Sequence, residues 1–276
     1  MTDRYAVIGN PVAHSKSPVI HAEFARQTGQ DLVYERILAP LDGFVVAVKN
    51  FRADGGKGLN VTLPFKLEAF HFSDDCSRRA RDAEAVNTLK FEGAATYGDN
   101  TDGVGLVRDL QDNLDCPVAG RAVLLMGAGG AAQGALGPLL DARPARLVIA
   151  NRTVEKAEQL AERFRAARGL PGSVLSASGY ARLAEQDFDI VINSTSASLN
   201  DAVPDLPAGI FARDSLAYDM MYGKGRTAFL EMALTQGALR LADGIGMLVE
   251  QAAESFLLWR GVRPQTRSVI EALKAG

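Results

Sequence analysis

The sequence predicts an α/β protein with two domains. Three features carry this prediction: the length of the chain, a strand–turn–helix–strand unit near its middle, and short apolar runs that alternate with helix-forming segments. Domains commonly hold about 100–200 residues, so a chain of 276 residues can build two cores. Strands that alternate with helices are typical of sheets covered by helices.

The central unit contains two short apolar strands, predicted at 122–126 and 147–150, with a glycine-rich turn and a helix between them. Gly127 would form the tight turn, and Gly129 would let a pyrophosphate approach the backbone. The small Ala132 would allow the helix to pack closely on the strand, so that the helix N-terminus faces the phosphates. This order predicts a Rossmann dinucleotide-binding domain. The alternative is an ordinary tight turn.

The end of the second strand indicates which dinucleotide binds. NAD sites usually carry Asp or Glu there, bonded to the ribose 2′-hydroxyl. This chain has Asn151-Arg152-Thr153 instead. A guanidinium can bind a 2′-phosphate through charged hydrogen bonds, and amide and hydroxyl groups add donors. We therefore predict NADP as the cofactor. The alternative is that Arg152 is a solvated surface charge.

Composition and charge argue against several classes of protein. The formal net charge of -3 does not indicate a nucleic-acid partner or an anionic membrane. No apolar run is long enough to span a bilayer, and we expect no signal peptide. Cys76 and Cys116 match no metal spacing and the three histidines form no cluster, so we expect no metal. Free thiols are typical of the cytoplasm, where we expect the protein to work.

The first domain is predicted to begin with a buried strand at 5–8. A helix follows, with Ser17 as its N-cap and Pro18 as its first residue, and it ends near Gly29. Ser15 and Ser17 would thus present two hydroxyls at a helix N-terminus, which suits a carboxylate. The alternative is that Ser17 only caps the helix.

Further strands and helices alternate along this domain. Asn60 and Thr62 share one face of a short strand, because side chains alternate along a strand. Polar residues collect at strand ends, where ligands bind to open sheets. The predicted elements are strands at 32–38, 59–62 and 85–89, a helix at 44–51, a flexible turn at 55–58 and a helix that begins at Lys66.

A polar loop at 98–103 marks the start of the second domain. Thr195 lies in the loop Asn193-Ser194-Thr195-Ser196-Ala197-Ser198, which is expected to contact the cofactor. Met220 either packs against a nicotinamide ring or belongs to the core. Gln251 lies among apolar neighbours and needs a partner, either the substrate or a nearby carbonyl. The other predicted elements are helices at 104–114, 133–141 and 154–167, strands at 189–192 and 215–219, and a long helix that ends near Trp259.

Together these motifs resemble the shikimate dehydrogenase family, and they follow the family's order along nearly the whole chain. Each motif is weak alone, but the combination is highly specific. The chain departs from the family's usual pattern at Ser194 and Ser198, where Ala and Gly are common, and at Ala22, where many members have Asn. The matching segments are Gly9-Asn10-Pro11, Ser15-Lys16-Ser17-Pro18, 60–66, Ala85-Val86-Asn87-Thr88, 98–102, the Gly127 turn, Asn151-Arg152-Thr153, Asp219-Met220-Met221-Tyr222 and 243–251.

The resemblance implies reversible, NADPH-dependent reduction of 3-dehydroshikimate to shikimate in aromatic amino-acid biosynthesis. It implies that Lys66 and Asp102 form the catalytic pair. The chemistry agrees, because hydride transfer to a ketone needs a proton donor near the nascent alkoxide, and a carboxylate can hold a lysine there. A structural salt bridge is the alternative. The implied substrate-binding residues are Ser15, Ser17, Asn60, Thr62, Asn87, Tyr222 and Gln251.

The expected organisation is a substrate-binding catalytic domain at 1–102, completed by C-terminal helices at 243–276 that return to it, and an NADP-binding Rossmann domain at 103–242. We expect a monomer or a homodimer. The alternatives are a quinate/shikimate dehydrogenase of broader specificity and a non-catalytic nucleotide-sensing protein. Arg152 argues against the first, and the presence of Lys66 and Asp102 argues against the second. The candidate cofactor-binding residues are Gly127, Ala128, Gly129, Gly130, Ala131, Asn151, Arg152, Thr153, Lys156, Thr195, Met220, Gly244 and Met247.

Overall fold

The computed structural model describes residues 2–195, 205–223 and 225–275. The chain divides into two compact units: unit 1 comprises Met1–Gly105 and Leu248–Gly276, and unit 2 comprises Leu106–Met247. Each unit is built around a six-stranded sheet. No helix among the described residues is long and apolar enough to cross a membrane.

Strands and helices alternate along most of the chain. The strands are β1 (Asp3–Gly9), β2 (Leu32–Leu38), β3 (Gly56–Val61), β4 (Asp75–Cys76), β5 (Thr88–Glu92), β6 (Ala95–Asp99), β7 (Ala122–Met126), β8 (Arg146–Ala150), β9 (Leu175–Ser178), β10 (Phe188–Asn193), β11 (Phe211–Asp219) and β12 (Arg240–Ala242). The helices are α1 (Ser17–Thr28), α2 (Phe44–Ala53), α3 (Lys66–Phe72), α4 (Arg78–Ala83), α5 (Asp102–Arg108), α6 (Gly130–Asp141), α7 (Val154–Arg168), α8 (Ala228–Thr235), α9 (Ile245–Arg260) and α10 (Arg267–Ala275).

The sheet of unit 1 has the order β2-β1-β3-β5-β6-β4, with β5 antiparallel to both neighbours. The predicted strand at 85–89 is therefore wrong in its bounds, since β5 starts at Thr88 and forms a hairpin with β6. The sequence prediction missed β6 and assigned its last two residues to a polar loop. Asp99 is nevertheless buried, because Arg79 binds both of its carboxylate oxygens at 2.8 and 2.6 Å.

The flexible turn predicted at 55–58 is also wrong, because β3 begins at Gly56. A Cβ atom at Gly56 would lie 2.2 Å from the Phe51 ring in α2. A Cβ atom at Gly58 would lie 2.5 Å from Nε1 of Trp259 in α9. Both glycines therefore allow close packing of helices on the strand rather than a flexible turn.

The N-cap predicted for α1 needs a correction as well. The N-cap residue is Lys16, whose side chain makes no capping hydrogen bond, and Ser17 is the first helical residue. The Ser17 hydroxyl instead accepts a hydrogen bond from Ser15 Oγ at 3.1 Å. At the other end, the helix stops at Gly29 as predicted, and this residue adopts the left-handed conformation with φ of 64°.

The sheet of unit 2 has the order β12-β11-β10-β7-β8-β9, and every pair of neighbours is parallel. Numbered from β7, this is the order 3-2-1-4-5-6 of a Rossmann fold. The predicted fold class is thus confirmed, although the short strands β9 and β12 were missed. The helix predicted at 104–114 starts at Asp102, and it continues beyond Arg108 as a π-helical turn, Asp109–Asn113.

Candidate active site

Lys66 and Asp102 form an ion pair in unit 1. Lys66 is the first residue of α3 and Asp102 is the first residue of α5. A carboxylate is favoured in a first helical turn by the helix dipole. Lys66 Nζ lies 2.6 Å from Asp102 Oδ2, and the two side chains are 30% and 16% exposed. The pair is therefore partly shielded but still open to a small molecule.

Asn87 fixes the other side of the Asp102 carboxylate. It lies just before β5 and is buried. Its Nδ2 donates to Asp102 Oδ1 at 2.8 Å, and its Oδ1 accepts the backbone N–H of Thr101 at 2.8 Å. Each oxygen of Asp102 thus has its own partner, so the carboxylate is held in one orientation before any ligand binds.

A hydroxyl cluster, consisting of Thr88, Thr101 and Ser255, lies beneath the predicted substrate residues. All three side chains are fully buried. The Ser255 hydroxyl lies 2.8 Å from that of Thr88 and 3.2 Å from that of Thr101, and it accepts a hydrogen bond from Asn60 Nδ2 at 3.0 Å. Sequence reasoning did not assign these hydroxyls to the site, although Thr88 and Thr101 adjoin Asn87 and the Asp102 loop within matching motifs.

Gln251 joins this network from α9. Its Nε2 donates to the carbonyl of Leu248 at 2.8 Å, which confirms the carbonyl as one of the two predicted partners. Its Oε1 accepts from Asn87 Nδ2 and from the Thr101 hydroxyl, both at 3.4 Å. A Cβ atom at Gly105 would lie 2.6 Å from the Gln251 backbone nitrogen, so this glycine lets α5 and α9 approach closely.

Ser15 and Ser17 lie next to a cation. The Arg36 guanidinium donates to the carbonyl oxygen of Ser15 at 2.6 and 3.2 Å, and the two serine hydroxyls lie 3.1 Å apart. Thr62 follows β3 and is half-buried, and a Cβ atom at Gly9 would lie 2.3 Å from its Cγ2. The serine pair therefore combines hydroxyl donors with nearby positive charge, which suits a carboxylate.

Four further candidate residues lie in unit 2. Met220 packs, partly buried, against the core, as the second interpretation of this residue expects. Tyr222 is half-buried, and burial raises its pKa. A Cβ atom at Gly244 would lie 2.2 Å from the carbonyl oxygen of Met220, and Met247 is buried. Tyr222 is the one predicted substrate residue that belongs to unit 2.

The glycine turn at the end of β7 has the geometry of a phosphate site. Gly127 adopts φ of 104°, and a Cβ atom there would lie 2.8 Å from Ser194 Oγ. In contrast, within the described part of the chain, no atom beyond the adjacent backbone lies within 4 Å of a Cβ atom placed on Gly129 or Gly130. Ala128 and Ala131 complete the turn, and α6 begins at Gly130 without a side-chain cap. Open space beside a helix N-terminus fits a pyrophosphate.

The end of β8 carries exposed cations. Arg152, Thr153 and Lys156 are exposed, and Asn151 Nδ2 donates to the Thr153 carbonyl at 2.8 Å. Burial raises the pKa of Tyr180 to about 12, and nearby Arg152 opposes this shift. Two cations beside the turn fit the 2′-phosphate of NADP. A groove of about 370 Å³ next to them is lined by Ala128, Gln133, Lys156, Gln159, Leu160 and Arg163.

Asn193 and Asp219 are the last residues of β10 and β11, and they bond to each other. Both are fully buried, and Asn193 Nδ2 donates to Asp219 Oδ1 at 3.2 Å. Asn193 Oδ1 accepts from the Thr195 hydroxyl at 2.7 Å, and Asp219 Oδ1 accepts the Met221 N–H at 3.0 Å. Sequence reasoning assigned neither residue to support. The rest of the predicted loop, Ser196-Ala197-Ser198, lies outside the described residues.

Comparison with known families gives matches across most of the chain. The model for the shikimate dehydrogenase substrate binding domain matches residues 7–89. The shikimate / quinate 5-dehydrogenase model matches residues 110–201. The model for the shikimate 5'-dehydrogenase C-terminal domain matches residues 244–274.

Individual relatives match over nearly their full length. The shikimate dehydrogenase (NADP(+)) of Aromatoleum aromaticum is 61% identical over 272 residues, which are 99% of this chain and 97% of that protein. The enzyme of the same name from Nitrosospira multiformis is 63% identical over 275 residues, covering 100% of this chain and 98% of that protein.

A solved structure extends the match to three dimensions. The shikimate 5-dehydrogenase of Thermus thermophilus, in complex with NADP(H) and shikimate, superimposes with a TM-score of 0.86 at 32% identity over 99% of both chains. Sequence, order of motifs and fold therefore agree, and the chain belongs to the shikimate dehydrogenase family.

Proposed function

We propose that the protein catalyses the reversible, NADPH-dependent reduction of 3-dehydroshikimate to shikimate, a step in the biosynthesis of aromatic amino acids. The observation that carries the proposal is the Lys66–Asp102 ion pair of 2.6 Å, held within a network of amide and hydroxyl groups. Such a site can bind a small polyhydroxylated ring and deliver one proton to it. Family membership supports the same reaction.

Lys66 acts as the proton donor in the direction of reduction. Its ammonium group donates to the ketone oxygen as that oxygen gains negative charge, and it takes a proton from the hydroxyl in the reverse direction. Asp102 holds the ammonium group through Oδ2, and its Oδ1 stays bonded to Asn87. The geometry needed for proton transfer is thus largely present without substrate.

The remaining polar residues orient the ring. We assign the substrate carboxylate to Ser15 and Ser17, since Arg36 lies beside them. Ring hydroxyls contact Asn60, Thr62, Asn87 and Gln251 of unit 1. These groups bind ground state and transition state alike, and their loss should mainly raise the Michaelis constant.

The chain's residues fit NADP. Bound NADPH supplies the hydride that the ketone carbon receives. The open space beside Gly129 and Gly130 accommodates the pyrophosphate, and Arg152 and Lys156 neutralise the 2′-phosphate. The Thr195 hydroxyl donates to Asn193 Oδ1 at 2.7 Å. Thr195 is thereby held within the loop that we expect to contact the nicotinamide half of the cofactor.

A direct assay tests the proposal. Purified protein is mixed with shikimate or quinate and with NADP or NAD, and the absorbance of the reduced nicotinamide is followed. We expect rapid reduction of NADP with shikimate, and much slower reaction with quinate or with NAD. If activity with quinate and NAD equals that with shikimate and NADP, the protein is a quinate/shikimate dehydrogenase of broader specificity. Binding of NADP without turnover would indicate a non-catalytic nucleotide-sensing protein.

We also propose that the enzyme works in the cytoplasm as a monomer or a homodimer. Cys76 and Cys116 are free, buried thiols, and burial raises the pKa of each, which keeps both thiols protonated and unreactive. Free thiols are typical of a reducing compartment. Sedimentation velocity at several protein concentrations would distinguish the two assembly states.

A further inference from the structure

Hydrogen bonds connect several of the proposed substrate residues of unit 1. Ser15 donates to Ser17, and in a separate network Asn60, through the hydroxyl cluster and Asn87, reaches Asp102. Tyr34 of β2, a residue with no assigned role, joins the second network. Its hydroxyl donates to Asn60 Oδ1 at 2.7 Å.

The surroundings of Tyr34 fix the position of its ring and keep its hydroxyl protonated. The ring stacks on His21 with centroids 4.3 Å apart and an interplanar angle of 5°, and it lies 6.4 Å from the Trp259 ring. Burial raises the pKa of Tyr34 well above its ordinary value, and the neighbouring Ser17 hydroxyl offsets this only in part. The phenol therefore remains a hydrogen-bond donor at every pH at which the enzyme would work.

The partners of Asn60 settle which way its amide points. Asn60 Nδ2 donates to the backbone carbonyl of Asn87 at 3.3 Å, and a carbonyl can only accept. The same nitrogen lies 3.1 Å from the Thr88 hydroxyl and 3.0 Å from the Ser255 hydroxyl, so both of its hydrogens are used within the protein. Oδ1 faces Tyr34, which occupies one of its two lone pairs.

We propose that Tyr34 is a positioning residue for the substrate: its hydroxyl holds the Asn60 amide so that the second lone pair of Oδ1 accepts a ring hydroxyl of shikimate. The inference rests on the proposed function and on the assignment of Asn60 to the substrate. It adds a residue that does not touch the substrate, and it gives Asn60 the role of acceptor rather than donor.

The test is Tyr34→Phe, which removes one oxygen atom and keeps the ring that stacks on His21. Loss of a neutral hydrogen bond should weaken shikimate binding roughly three- to tenfold. We expect this loss in the dissociation constant from calorimetry and in the Michaelis constant for shikimate. The turnover number and the Michaelis constant for NADP should change by less than about twofold, since a ground-state contact is removed.

The chain offers a matched control in Tyr5→Phe. Tyr5 is buried, and its ring stacks on Trp259 with centroids 4.6 Å apart. Its hydroxyl, however, accepts from Arg260 at 3.4 Å and has no bond to Asn60. Tyr5→Phe should leave shikimate binding unchanged. Equal losses of binding in both variants would overturn the proposal.

A double-mutant cycle separates positioning from general support. If Tyr34 acts through Asn60, then Tyr34→Phe should add less than about twofold to the loss caused by Asn60→Ala. Multiplicative losses would overturn the inference, and so would a Tyr34→Phe variant that binds shikimate with wild-type affinity. Should Asn60→Ala fail to fold, the pair of tyrosine variants decides alone.

The wild-type enzyme distinguishes failure of the inference from failure of the proposed function. A wild-type protein that neither binds shikimate nor reduces NADP with it would contradict the proposed function. A wild-type protein that does both, with a Tyr34→Phe variant indistinguishable from it, would contradict the role of Tyr34 alone.

Discussion

The candidate sites of the two units are built in opposite ways. In unit 1 the polar side chains bind one another, as when Asp102 takes one hydrogen bond from Lys66 and another from Asn87. In unit 2 the glycine turn offers open space beside the backbone, and Arg152 and Lys156 extend into solvent. One site is organised before its ligand arrives, whereas the other presents charge and backbone groups to a ligand that must complete it.

This difference determines how substitutions should behave. Within a connected buried network, the loss of one group disturbs its neighbours, so the effects of two substitutions do not simply add. Exposed cations act nearly independently, and salt screens them. We therefore expect large, coupled effects in unit 1 and smaller, salt-dependent effects in unit 2.

The largest expected effect is that of Lys66→Ala. Loss of the proton donor should lower the turnover number roughly 10²- to 10⁴-fold, the usual size of general acid–base catalysis. The Michaelis constant for shikimate should change far less, because the contribution belongs mainly to the transition state. Steady-state kinetics at saturating NADP would measure both quantities.

The partner variant Asp102→Asn provides the control for coupling. Because Lys66 and Asp102 share a bond of 2.6 Å, the double variant should lose much less than the product of the single losses. Near-normal turnover of the Lys66→Ala variant would contradict the role of Lys66 as proton donor. Independent losses would leave Asp102 as a substrate-binding group only.

Arg152→Ala should have the next largest effect, and on the cofactor alone. A charged hydrogen bond contributes about 1.5–3 kcal/mol, so the affinity for NADP should fall roughly ten- to a hundredfold while that for NAD barely changes. The loss should shrink at high salt, since the side chain is exposed. Equal losses for both dinucleotides would contradict the role assigned to Arg152.

His21 gives unit 1 a dependence of stability on pH. It is 1% exposed, and burial lowers its pKa to about 3, from an ordinary value of 6.5. The unfolded chain therefore binds the proton more tightly, so stability is complete above pH 6.5 and falls as the pH drops toward 3. By pH 5 the loss should amount to about 2 kcal/mol.

Urea unfolding at several pH values would measure this loss. His21→Phe keeps an aromatic ring against Tyr34 and should flatten the decline between pH 6.5 and pH 5. His14→Gln, at an exposed histidine, serves as the control and should leave the profile as it is in the wild type. An unchanged slope in His21→Phe would assign the acid sensitivity to other groups.

The smallest expected effects come from alanine substitutions at two glycines of the same turn, Gly127 and Gly129, which should differ in what they weaken. Gly127→Ala places a Cβ at φ of 104° and 2.8 Å from Ser194 Oγ, so it should destabilise the fold by about 1–2 kcal/mol. The new Cβ atom of Gly129→Ala meets no atom of the described residues within 4 Å, the adjacent backbone apart, so the free protein should keep its stability while NADP binding weakens several-fold. Thermal unfolding with and without NADP would separate the two, and a destabilised Gly129→Ala protein would contradict the open turn.

Local patterns predicted much of the fold. The apolar runs of unit 2 and the glycine turn placed β7, β8 and the end of β11 correctly to within one residue, because a buried parallel strand is nearly continuous in its hydrophobicity. The glycines of β3 misled the prediction because they make room for the side chains of Phe51 and Trp259, and the second of these comes from the far end of the chain. A glycine pattern alone does not distinguish a turn from a strand under a close helix.

The residues that support the candidate site could not be predicted from the sequence, because their partners also come from distant segments. Asn60 meets Thr88 because the two residues pair across β3 and β5, and it meets Ser255 across 195 residues of sequence. Neither contact can be predicted from the local periodicity of the sequence. The family motifs predict residues that face a ligand, whereas Tyr34 and Ser255, which bond to Asn60, lie outside every matching segment.

The position of Trp259 has a practical consequence for how unfolding can be observed. It is the single tryptophan of the chain, and it lies buried in unit 1 with its Nε1 bonded to the Leu89 carbonyl at 3.0 Å. Its fluorescence therefore reports the packing of unit 1 alone, while far-ultraviolet circular dichroism sums the helices of both units. Transitions that coincide for the two signals mean that the units unfold together, and transitions that differ assign a separate stability to each unit.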